Sequence, residues 1–444
     1  MELKGRRVIV IGLGISGRAA AHLLARNGAM LVMTDRDPGL DRKDLPAGVV
    51  HLGPEDPAWL DGIDLVVVSP GVPQTSILMT AARSRGLPLI GELELASRFV
   101  RAPMAAITGT NGKSTVTVWL GEICKASGMK PFVGGNLGTP LAAAADAAYD
   151  VAVIEVSSYQ LELIETFKPH VALHLNLSDD HLDRYRDLAD YGRAKARLFE
   201  NQDSGDWAML NRDDAHVWQL ARQIRSRVFS FGLDQPRDAA DTARAIWYDR
   251  DAFVFNDGAR TGRIALGGFT LPGRHNLLNA MAASAAALAL DIAPQIIESA
   301  LAAFAGLPHR TEFVRAVNGV TYIDDSKGTN VGAVVEALAA MSGPVILIAG
   351  GVDKGGDYGP LRAPLAAKVK LLILIGAARD KMRTALAGAT AIETASALAD
   401  AVTIAAMHAR AGDTVMLSPA CSSFDQFKDY AERGRIFQEL VRAL

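Results

Sequence analysis

Residues 109–115 read Gly-Thr-Asn-Gly-Lys-Ser-Thr and follow an apolar run, which places a glycine-rich loop after a predicted strand. In such a loop the backbone N–H groups turn toward phosphate oxygens. A lysine such as Lys113 reaches the β- and γ-phosphates, and a hydroxyl such as that of Ser114 ligates Mg²⁺. Ile107 stands where the usual GxxxxGK[ST] pattern has its first glycine, so the loop is a shortened form. The segment predicts a nucleoside triphosphate site at the start of a helix.

Polar residues end two further apolar runs of the same region. Glu155 follows residues 151–154, and Asn176 with residues 179–181 follows residues 171–175. Ligands bind at the carboxyl ends of parallel strands, and a carboxylate there suits a nucleotide-bound Mg²⁺ because hard cations prefer oxygen ligands. We therefore interpret Glu155 as a functional residue rather than as a strand-end carboxylate paired to a nearby cation.

Two residues of this region are ambiguous on their types and spacing alone. His181 is equally compatible with a metal ligand and with an ordinary hydrogen-bonded surface histidine, since Mg²⁺ seldom selects imidazole. Lys195 lies in a predicted helix over residues 191–199, where the simplest interpretation is a solvated lysine on the helix surface.

The first region of the chain carries a second glycine-rich turn. Gly12, Gly14 and Gly17 lie between a predicted strand and a predicted helix, and Asp35 ends the next strand. This is the dinucleotide fingerprint, with its acidic residue about 20 positions further on. It predicts a turn that seats a diphosphate on a helix N-terminus. NAD is the simplest ligand, and the diphosphate of a UDP-sugar fits the same physics.

Three polar loops follow predicted strands of the third region, at residues 324–330, 350–356 and 418–428. The carboxyl ends of parallel strands share one edge of a sheet, so the three loops are predicted to face one site. Each loop carries a lysine, which suits a small anionic substrate such as an amino dicarboxylate.

The elements that must position these loops alternate between strands and helices, which predicts parallel α/β sheets. We predict three domains, at residues 1–92, 93–305 and 306–444. Between residues 227 and 269, four short β-like runs separated by Asp, Asn and Gly predict a small antiparallel flap. In the first domain we predict strands at residues 7–11, 30–34 and 65–69 and a helix at residues 18–27.

The composition is that of an ordinary globular protein and argues against several other classes. The 444-residue chain has 21% charged residues and a net charge of −3, which gives no general case for binding to nucleic acid or a membrane surface. Cys124 and Cys421 are its two cysteines, which favours a reducing compartment over a disulfide framework. No apolar run reaches the roughly 18 residues of a membrane-spanning helix, so none is predicted.

Eight segments, in order, resemble the Mur ligase family of bacteria: TGTNGKST, EVSSYQLE, NLSDDHLDRY, YGRAK, GRHNLLNA, GLPHR, DDSKGTN and SPACSSFDQFKDY. The resemblance covers essentially the whole chain. It implies an N-terminal UDP-binding Rossmann-like domain, a central P-loop ATPase domain and a C-terminal Rossmann-like domain, which favours UDP over NAD in the first. It also implies an ATP-dependent amide ligase of peptidoglycan precursor synthesis. The last two segments point to the member that adds D-glutamate to UDP-N-acetylmuramoyl-L-alanine through an acyl phosphate.

The resemblance implies roles for individual residues. The ATP-binding residues would be Gly109, Thr110, Asn111, Gly112, Lys113, Ser114, Thr115, Asn276, Arg310 and Asp325. The UDP-sugar would contact Ile15, Ser16, Asp35, Arg36, Gly71 and Asn136. D-Glutamate would contact Lys327, Thr329, Lys354, Ser423, Phe424, Lys428 and Tyr430. The metal ligands would be Ser114, Glu155, His181 and a carbamylated Lys195, and the catalytic set would be Lys113, Lys195, His181 and Glu155.

By the same resemblance the cofactors are ATP and Mg²⁺. Two metal sites are expected, and Mn²⁺ is expected as an alternative to Mg²⁺. The expected partners are small molecules, without nucleic acid or membrane insertion, and the protein is expected to be a cytoplasmic monomer. Two alternatives stay open. One is another Mur-type or folylpolyglutamate-synthetase-like amide ligase. The other is a nicotinamide dehydrogenase, which would leave the phosphate loop idle and would be distinguished by NAD(H) binding.

Overall fold

The computed structural model describes residues 1–145, 147–182, 184–237 and 243–444. Its strands form three separate sheets of five, nine and six strands, which follow one another along the chain. Helices cover the sheets, as expected for parallel strands whose two faces are both buried. The predicted α/β architecture with three domains is confirmed. Within the described ranges, none of the helices is both long and apolar enough to cross a membrane.

The N-terminal part contains five strands and three helices: β1 (Arg7–Ile11), β2 (Met30–Asp35), β3 (Val49–Leu52), β4 (Leu65–Val68), β5 (Leu89–Gly91), α1 (Ile15–Arg26), α2 (Ile77–Ser84) and α3 (Glu92–Ser97). Its strand order is β3-β2-β1-β4-β5, with all neighbours parallel. The first turn of α1 needs glycine where it approaches the end of β1, because a Cβ on Gly17 would lie 1.8 Å from the Gly12 carbonyl oxygen. Helix α1 begins at Ile15, earlier than the predicted residue 18.

Among its described residues, the middle part contains nine strands and six helices: β6 (Met104–Thr108), β7 (Pro131–Gly135), β8 (Val151–Glu155), β9 (Val171–His174), β10 (Trp207–Asn211), β11 (Arg227–Gly232), β12 (Ala245–Asp249), β13 (Ala252–Asn256), β14 (Thr261–Ala265), α4 (Lys113–Ala126), α5 (Ser158–Leu161), α6 (Leu188–Ala196), α7 (Ala215–Trp218), α8 (Arg274–Ala289) and α9 (Pro294–Ala303). Their strand order is β14-β13-β12-β11-β10-β9-β6-β8-β7. Strand β6 lies between β9 and β8 and is parallel to both, so the carboxyl ends of these three strands meet at one edge of the sheet.

The antiparallel flap is smaller than the sequence predicted. Strand β11 pairs in parallel with both β10 and β12. Among the described strands of the middle sheet, the antiparallel pairs are β12–β13 and β13–β14. The last four residues of β11, from Phe229 to Gly232, are all buried. A strand covered on both faces belongs to the parallel sheet, which is why its short β-like run was misassigned to the flap.

Helix α8 packs against α4 on one face of the middle sheet. Its residues 279–288 are all buried, and most of them are alanine, whose small side chain lets helices and sheet approach closely. Trp119 of α4 stacks on Phe304 with ring centroids 4.4 Å apart. Truncating such a buried tryptophan to alanine costs about 3–5 kcal/mol of stability. This core fixes α4, and with it the phosphate loop at its start.

The C-terminal part contains six strands and five helices: β15 (Glu312–Val317), β16 (Val320–Asp324), β17 (Val345–Gly350), β18 (Val369–Ile375), β19 (Ile392–Thr394), β20 (Thr414–Leu417), α10 (Val331–Ala339), α11 (Arg362–Lys368), α12 (Arg379–Leu386), α13 (Leu398–His408) and α14 (Tyr430–Arg442). Its strand order is β15-β16-β20-β17-β18-β19. Strands β16, β20 and β17 are parallel neighbours. The three polar loops of this region therefore leave the same edge of the sheet.

Candidate active site

The phosphate loop joins β6 to α4 and is held in one shape. Gly112 has φ +84°, and a Cβ there would lie 2.3 Å from Asn279 Oδ1, so only glycine fits. The Asn176 side chain accepts a hydrogen bond from the Asn111 N–H at 2.8 Å and donates to the Asn111 carbonyl oxygen at 3.1 Å. Helix α4 begins at Lys113, closer to the loop than the predicted start near residue 116. Its free N–H groups are thus placed for phosphate oxygens.

Lys113 and Glu155 lie on either side of the loop as a pair of opposite charges. Lys113 Nζ donates to the carbonyl oxygens of Gly109 at 2.9 Å and Thr110 at 2.8 Å. Glu155 accepts from Ser114 Oγ at 2.5 Å. Burial alone would raise the pKa of Glu155, but the Lys113 charge and the Ser114 hydroxyl outweigh it and hold this pKa below its usual range. Glu155 is therefore an anion beside the phosphate loop.

Lys195 is buried, with 1% of its surface exposed, so its interpretation from the bare residues as a solvated lysine is wrong. Its Nζ donates to the Gly109 carbonyl oxygen at 2.9 Å and lies 4.4 Å from the centre of the Tyr191 ring. Burial, with the charge of Lys113 nearby, lowers the pKa of Lys195 well below its usual value. The same causes lower the pKa of buried His174 to about 3, so this imidazole is neutral.

His181 faces the same edge of the sheet. Its Nδ1 lies 2.9 Å from the Tyr159 hydroxyl, and its Nε2 lies 3.7 Å from Asp180 Oδ2. Burial lowers the pKa of His181 despite the Asp180 carboxylate, which favours the neutral ring. The backbone of His181 has φ +56°, which is uncommon for a residue with a side chain.

A cavity of about 530 Å³ lies between the phosphate loop and the C-terminal part. It is lined from both sides, by Gly112, Thr115, Asn276, Asn279, Arg310, Asp325 and Lys327 among others. Burial raises the pKa of Asp325 to about 7, while Ser418 Oγ donates to this carboxyl at 2.6 Å. Burial and the Arg310 charge lower the pKa of Lys327 to about 8. The cavity thus joins the phosphate loop to a second set of buried charges.

Direct contacts cross the cleft between the two parts. Lys354 Nζ donates to Asp180 Oδ1 at 3.3 Å and to Thr329 Oγ1 at 3.4 Å. Asn330 Nδ2 donates to Asn111 Oδ1 of the phosphate loop at 3.0 Å. A smaller cavity of about 170 Å³ beside these contacts is lined by Asp180, Thr329 and Lys354 among others. The predicted amino-acid-binding loops and the phosphate loop therefore meet in one place.

Two of the residues predicted to bind the amino acid do not point into the cleft. Lys327 lines the larger cavity with its Nζ 3.8 Å from the centre of the Tyr430 ring, and Ser423 is buried in its loop. Phe424 is 73% exposed, and Lys428 is also exposed. The structure keeps these two side chains on the outer surface of their loop.

The predicted UDP site is a separate cavity of about 250 Å³ in the N-terminal part, lined by Asp35, Arg36 and Gly71 among others. Asp35 Oδ2 accepts a hydrogen bond from the Leu13 N–H at 2.6 Å, which ties the glycine turn to β2. Ile15 is 74% exposed at the start of α1, and Ser16 is half-buried beside it. Asn136 lies elsewhere, in the middle part, where its Nδ2 donates to Glu155 Oε1 at 2.7 Å.

Sequence reasoning assigned no role to three residues that shape the cleft: Asp180, Asn176 and Asn330. The first two follow a strand end, and that position was a usable signal. Asn330 belongs to a polar loop that was predicted to face the site, but its contact with Asn111, 219 positions away in the sequence, had no local signal.

Comparison with known proteins places this geometry in a family. The profile described as "Mur ligase MurD-like, N-terminal domain" matches residues 6–91, "Mur ligase middle domain" matches residues 107–287, and "Mur ligase, glutamate ligase domain" matches residues 309–421. The chain is similar to the UDP-N-acetylmuramoylalanine--D-glutamate ligase of Desulfosudis oleivorans, at 43% identity over 100% of this chain and 98% of that protein. It is also similar to the Geotalea daltonii protein of the same name, at 45% identity over 100% and 99%.

Solved structures share the fold. A pseudomurein peptide ligase type C from Methanothermus fervidus matches with a TM-score of 0.63 and 19% identity, covering 99% of this chain and 100% of that one. A UDP-N-acetylmuramate-alanine ligase from Thermotoga maritima matches with a TM-score of 0.62 and 18% identity, covering 98% and 99%. Full-length relatives at 43% and 45% identity carry the assignment further than fold alone, and they decide against a nicotinamide dehydrogenase. The chain belongs to the Mur ligase family of ATP-dependent ligases.

Proposed function

We propose that this enzyme adds D-glutamate to UDP-N-acetylmuramoyl-L-alanine, with cleavage of ATP to ADP and phosphate, in peptidoglycan precursor synthesis. The observation that carries the proposal is the meeting of the phosphate loop and the lysine-bearing loops in one cleft, marked by the contact between Lys354 and Asp180. Relatives that match the full chain bear the name of this reaction. A phosphoryl donor and an anionic amino acid would be held side by side there.

The first step would activate the carboxylate of the sugar nucleotide. A carboxylate oxygen attacks the γ-phosphorus of ATP, the bond to ADP breaks, and an acyl phosphate forms. Lys113 and the N–H groups at the start of α4 would stabilise the charge on the phosphoryl oxygens, and that positioning supplies most of the catalysis. Asn276, Arg310 and Asp325 would hold the rest of ATP across the larger cavity.

The donor set beside the phosphate loop fits Mg²⁺. Ser114 Oγ and Glu155 Oε2 lie 2.5 Å apart, and a hydroxyl next to a carboxylate offers the hard oxygen ligands that this ion prefers. We propose that Ser114, Glu155, His181 and a carbamate on Lys195 hold two metal ions, with Mn²⁺ as a substitute. When bound, Mg²⁺ supplies positive charge to phosphate oxygens.

We propose that Lys195 is carbamylated. Lys113 and Lys195 both donate to the Gly109 carbonyl oxygen, which leaves two ammonium groups close together in a buried place. The depressed pKa of Lys195 favours its neutral amine. That nitrogen attacks the carbon of CO₂, a C–N bond forms, and the nitrogen gives up one proton to solvent. The product is an anion on a long arm, which replaces the repulsion of two cations by attraction.

The second step would form the amide. The D-glutamate amine attacks the acyl carbon, a tetrahedral intermediate forms, and phosphate leaves. Lys327, Thr329, Lys354 and Ser423 would hold the glutamate, with Tyr430 against Lys327, and with Phe424 and Lys428 at the outer side of the loop. Exclusion of water from the cleft would protect the acyl phosphate from hydrolysis.

The N-terminal part would hold the uridine diphosphate through Ile15, Ser16, Asp35, Arg36 and Gly71, with Asn136 at the sugar diphosphate. We propose domain boundaries at residues 1–92, 93–305 and 306–444, which agree with the three sheets. We also propose that the enzyme works as a monomer in the cytoplasm on small molecules alone.

The proposal is tested by supplying ATP, Mg²⁺ and UDP-N-acetylmuramoyl-L-alanine together with D- or L-glutamate. Phosphate release and product mass are followed. We expect phosphate release and a product heavier by one glutamyl residue with D-glutamate. The substrate assignment would be refuted if no glutamyl product formed, or if the sugar nucleotide were extended only when a different amino acid was supplied.

A further inference from the structure

Helix α14 carries a charged side chain into the interior of the C-terminal part. Arg433 is 1% exposed. In the described part of the chain, no carboxylate oxygen accepts a hydrogen bond from its guanidinium. Burial lowers the pKa of Arg433 to about 10, so the group stays charged at neutral pH. A buried cation without a paired anion costs stability, so an apolar side chain of similar size would serve a plain core better.

The guanidinium is satisfied by oxygens of the backbone and of one hydroxyl. Its Nε donates to Ser326 Oγ at 3.0 Å, and its Nη2 donates to the carbonyl oxygens of Ser326 at 3.0 Å and Cys421 at 3.2 Å. Its Nη1 faces the carbonyl oxygens of Ser422 at 3.4 Å and Gly350 at 3.5 Å. A guanidinium has five N–H groups in a rigid plane, and here each has an oxygen to face.

These oxygens belong to three different loops at the carboxyl ends of β16, β17 and β20. Ser326 directly precedes Lys327, Ser422 directly precedes Ser423, and Gly350 ends β17 directly before the loop that carries Lys354. The loops approach so closely that a Cβ on Gly351 would lie 2.1 Å from the Ser422 carbonyl oxygen and 3.2 Å from Arg433 Nη1. One side chain therefore joins all three loops from below.

We propose that Arg433 is a positioning residue for the amino-acid substrate, because its guanidinium fixes the relative positions of the loops that present Lys327, Lys354 and Ser423. The role of those loops in binding glutamate rests on the proposed function. Arg433 itself lies beneath the loops and acts through them. A lysine in its place would keep the charge but lose the planar fork that reaches three loops at once.

The joining of the loops is tested by hydrogen–deuterium exchange on the full-length protein. In Arg433→Met we expect exchange about tenfold faster at residues 325–330, 350–356 and 420–428 together, with the glycine turn of the N-terminal part, residues 12–18, unchanged. Arg435→Met, on the exposed side of the same helix, is the matched control and should exchange like the wild type. Faster exchange in one loop only, or in none, overturns the proposal. If Arg433→Met does not fold, Arg433→Lys replaces it, with the same loops expected to loosen together.

Steady-state kinetics with each substrate distinguishes a positioning role of Arg433 from a general structural role. Arg433→Lys should raise the KM for D-glutamate about tenfold, because displacing the loops misplaces the groups that bind this substrate, with the KM for the sugar nucleotide unchanged. An equal rise in every KM, or a fall in kcat alone, overturns the proposal. If the wild-type chain does not use D-glutamate, the proposed function fails, and the exchange experiment still decides whether Arg433 joins the loops.

Discussion

The middle and C-terminal parts of this enzyme hold their cations in different ways. In the middle part, Lys113 and Lys195 both donate to the Gly109 carbonyl oxygen, at 2.9 Å in each case, within one domain. In the C-terminal part, Lys354 reaches across the cleft to Asp180 at 3.3 Å. The two lysines beside the phosphate loop are thus positioned within one fold unit, whereas the predicted amino-acid site depends on how two units meet.

The difference suggests that the middle part stabilises the transition state and that the cleft binds the second substrate. Charges that stabilise a transition state act best when they are fixed before the substrate arrives, because no reorganisation is then needed during the reaction. Charges that capture a second substrate can be completed by docking of two domains. Changes in the middle part should therefore remove chemistry, and changes at the cleft should weaken binding.

The largest effect is expected for Lys113→Ala. Loss of the ammonium beside the phosphate loop should lower the rate of phosphate release by about 10³-fold, because it stabilises charge on the transferred phosphoryl group. Binding of the sugar nucleotide, measured by calorimetry, should stay nearly unchanged since its cavity lies in the N-terminal part. If phosphate release and binding of the sugar nucleotide were lost together, the two sites would not be separate.

Lys195→Ala should be the next most severe change, with activity reduced by about 10²-fold. Short carboxylic acids added to this variant should restore part of the rate, since they would replace the carbamate in the space left by the side chain. Lys130→Ala, at a lysine away from the phosphate loop, serves as the control and should behave like the wild type. Full activity of Lys195→Ala would contradict the carbamate proposal.

Raising the pH should weaken the binding of D-glutamate in the cleft. The pKa of Lys327 is lowered to about 8 from a usual value of 10.5. Raising the pH from 7 to 9 therefore neutralises this ammonium and should weaken D-glutamate binding about tenfold. Between pH 8 and 10.5 the folded protein binds fewer protons at Lys327 than the unfolded chain, so this group's contribution to folding stability becomes more favourable as pH rises.

Calorimetric titration of D-glutamate into the enzyme loaded with sugar nucleotide and ADP measures this dependence. Lys327→Arg, which stays charged at pH 9, is the matched control, because it keeps the titration of the ligand itself. The same loss of affinity in wild type and Lys327→Arg would show that Lys327 is not the group responsible.

The smallest effect is expected for Asp180→Asn, which removes the carboxylate that Lys354 contacts across the cleft. Lys354 is partly exposed, so the pair should contribute about 1 kcal/mol, equivalent to about a fivefold loss in kcat/KM for D-glutamate. Asp179→Asn, at the exposed neighbouring position, should change little. If kcat/KM fell more for the sugar nucleotide than for D-glutamate, Asp180 would act on the sugar nucleotide and not in the capture of D-glutamate.

The sequence was most informative where function is local. The strand predicted at residues 7–11 is β1, and the phosphate loop lies where its contiguous pattern placed it. Glu155 was recognisable because it ends a strand beside that loop. Each of these predictions depends on residues close together in the chain, and strand-end geometry supplies the rest.

Contacts between distant segments were beyond the same reasoning. The Lys354–Asp180 pair spans 174 positions, so no local pattern marks it. Lys195 looks like a surface lysine in its helix, but it is buried and its Nζ donates to the Gly109 carbonyl oxygen, 86 positions away in the sequence. Arg433 likewise stands in an amphipathic helix, where an arginine normally faces solvent.

The central claim is that the carboxylate of the sugar nucleotide is phosphorylated at the phosphate loop before the amine arrives from the cleft. UDP-N-acetylmuramoyl-L-alanine labelled with oxygen-18 in its alanine carboxylate tests this directly, by mass spectrometry of the phosphate released with ATP and D-glutamate. An acyl phosphate predicts that each phosphate carries one labelled oxygen, because the carboxylate oxygen that attacks phosphorus leaves with it. Unlabelled phosphate, released while the glutamyl product forms, would contradict the account.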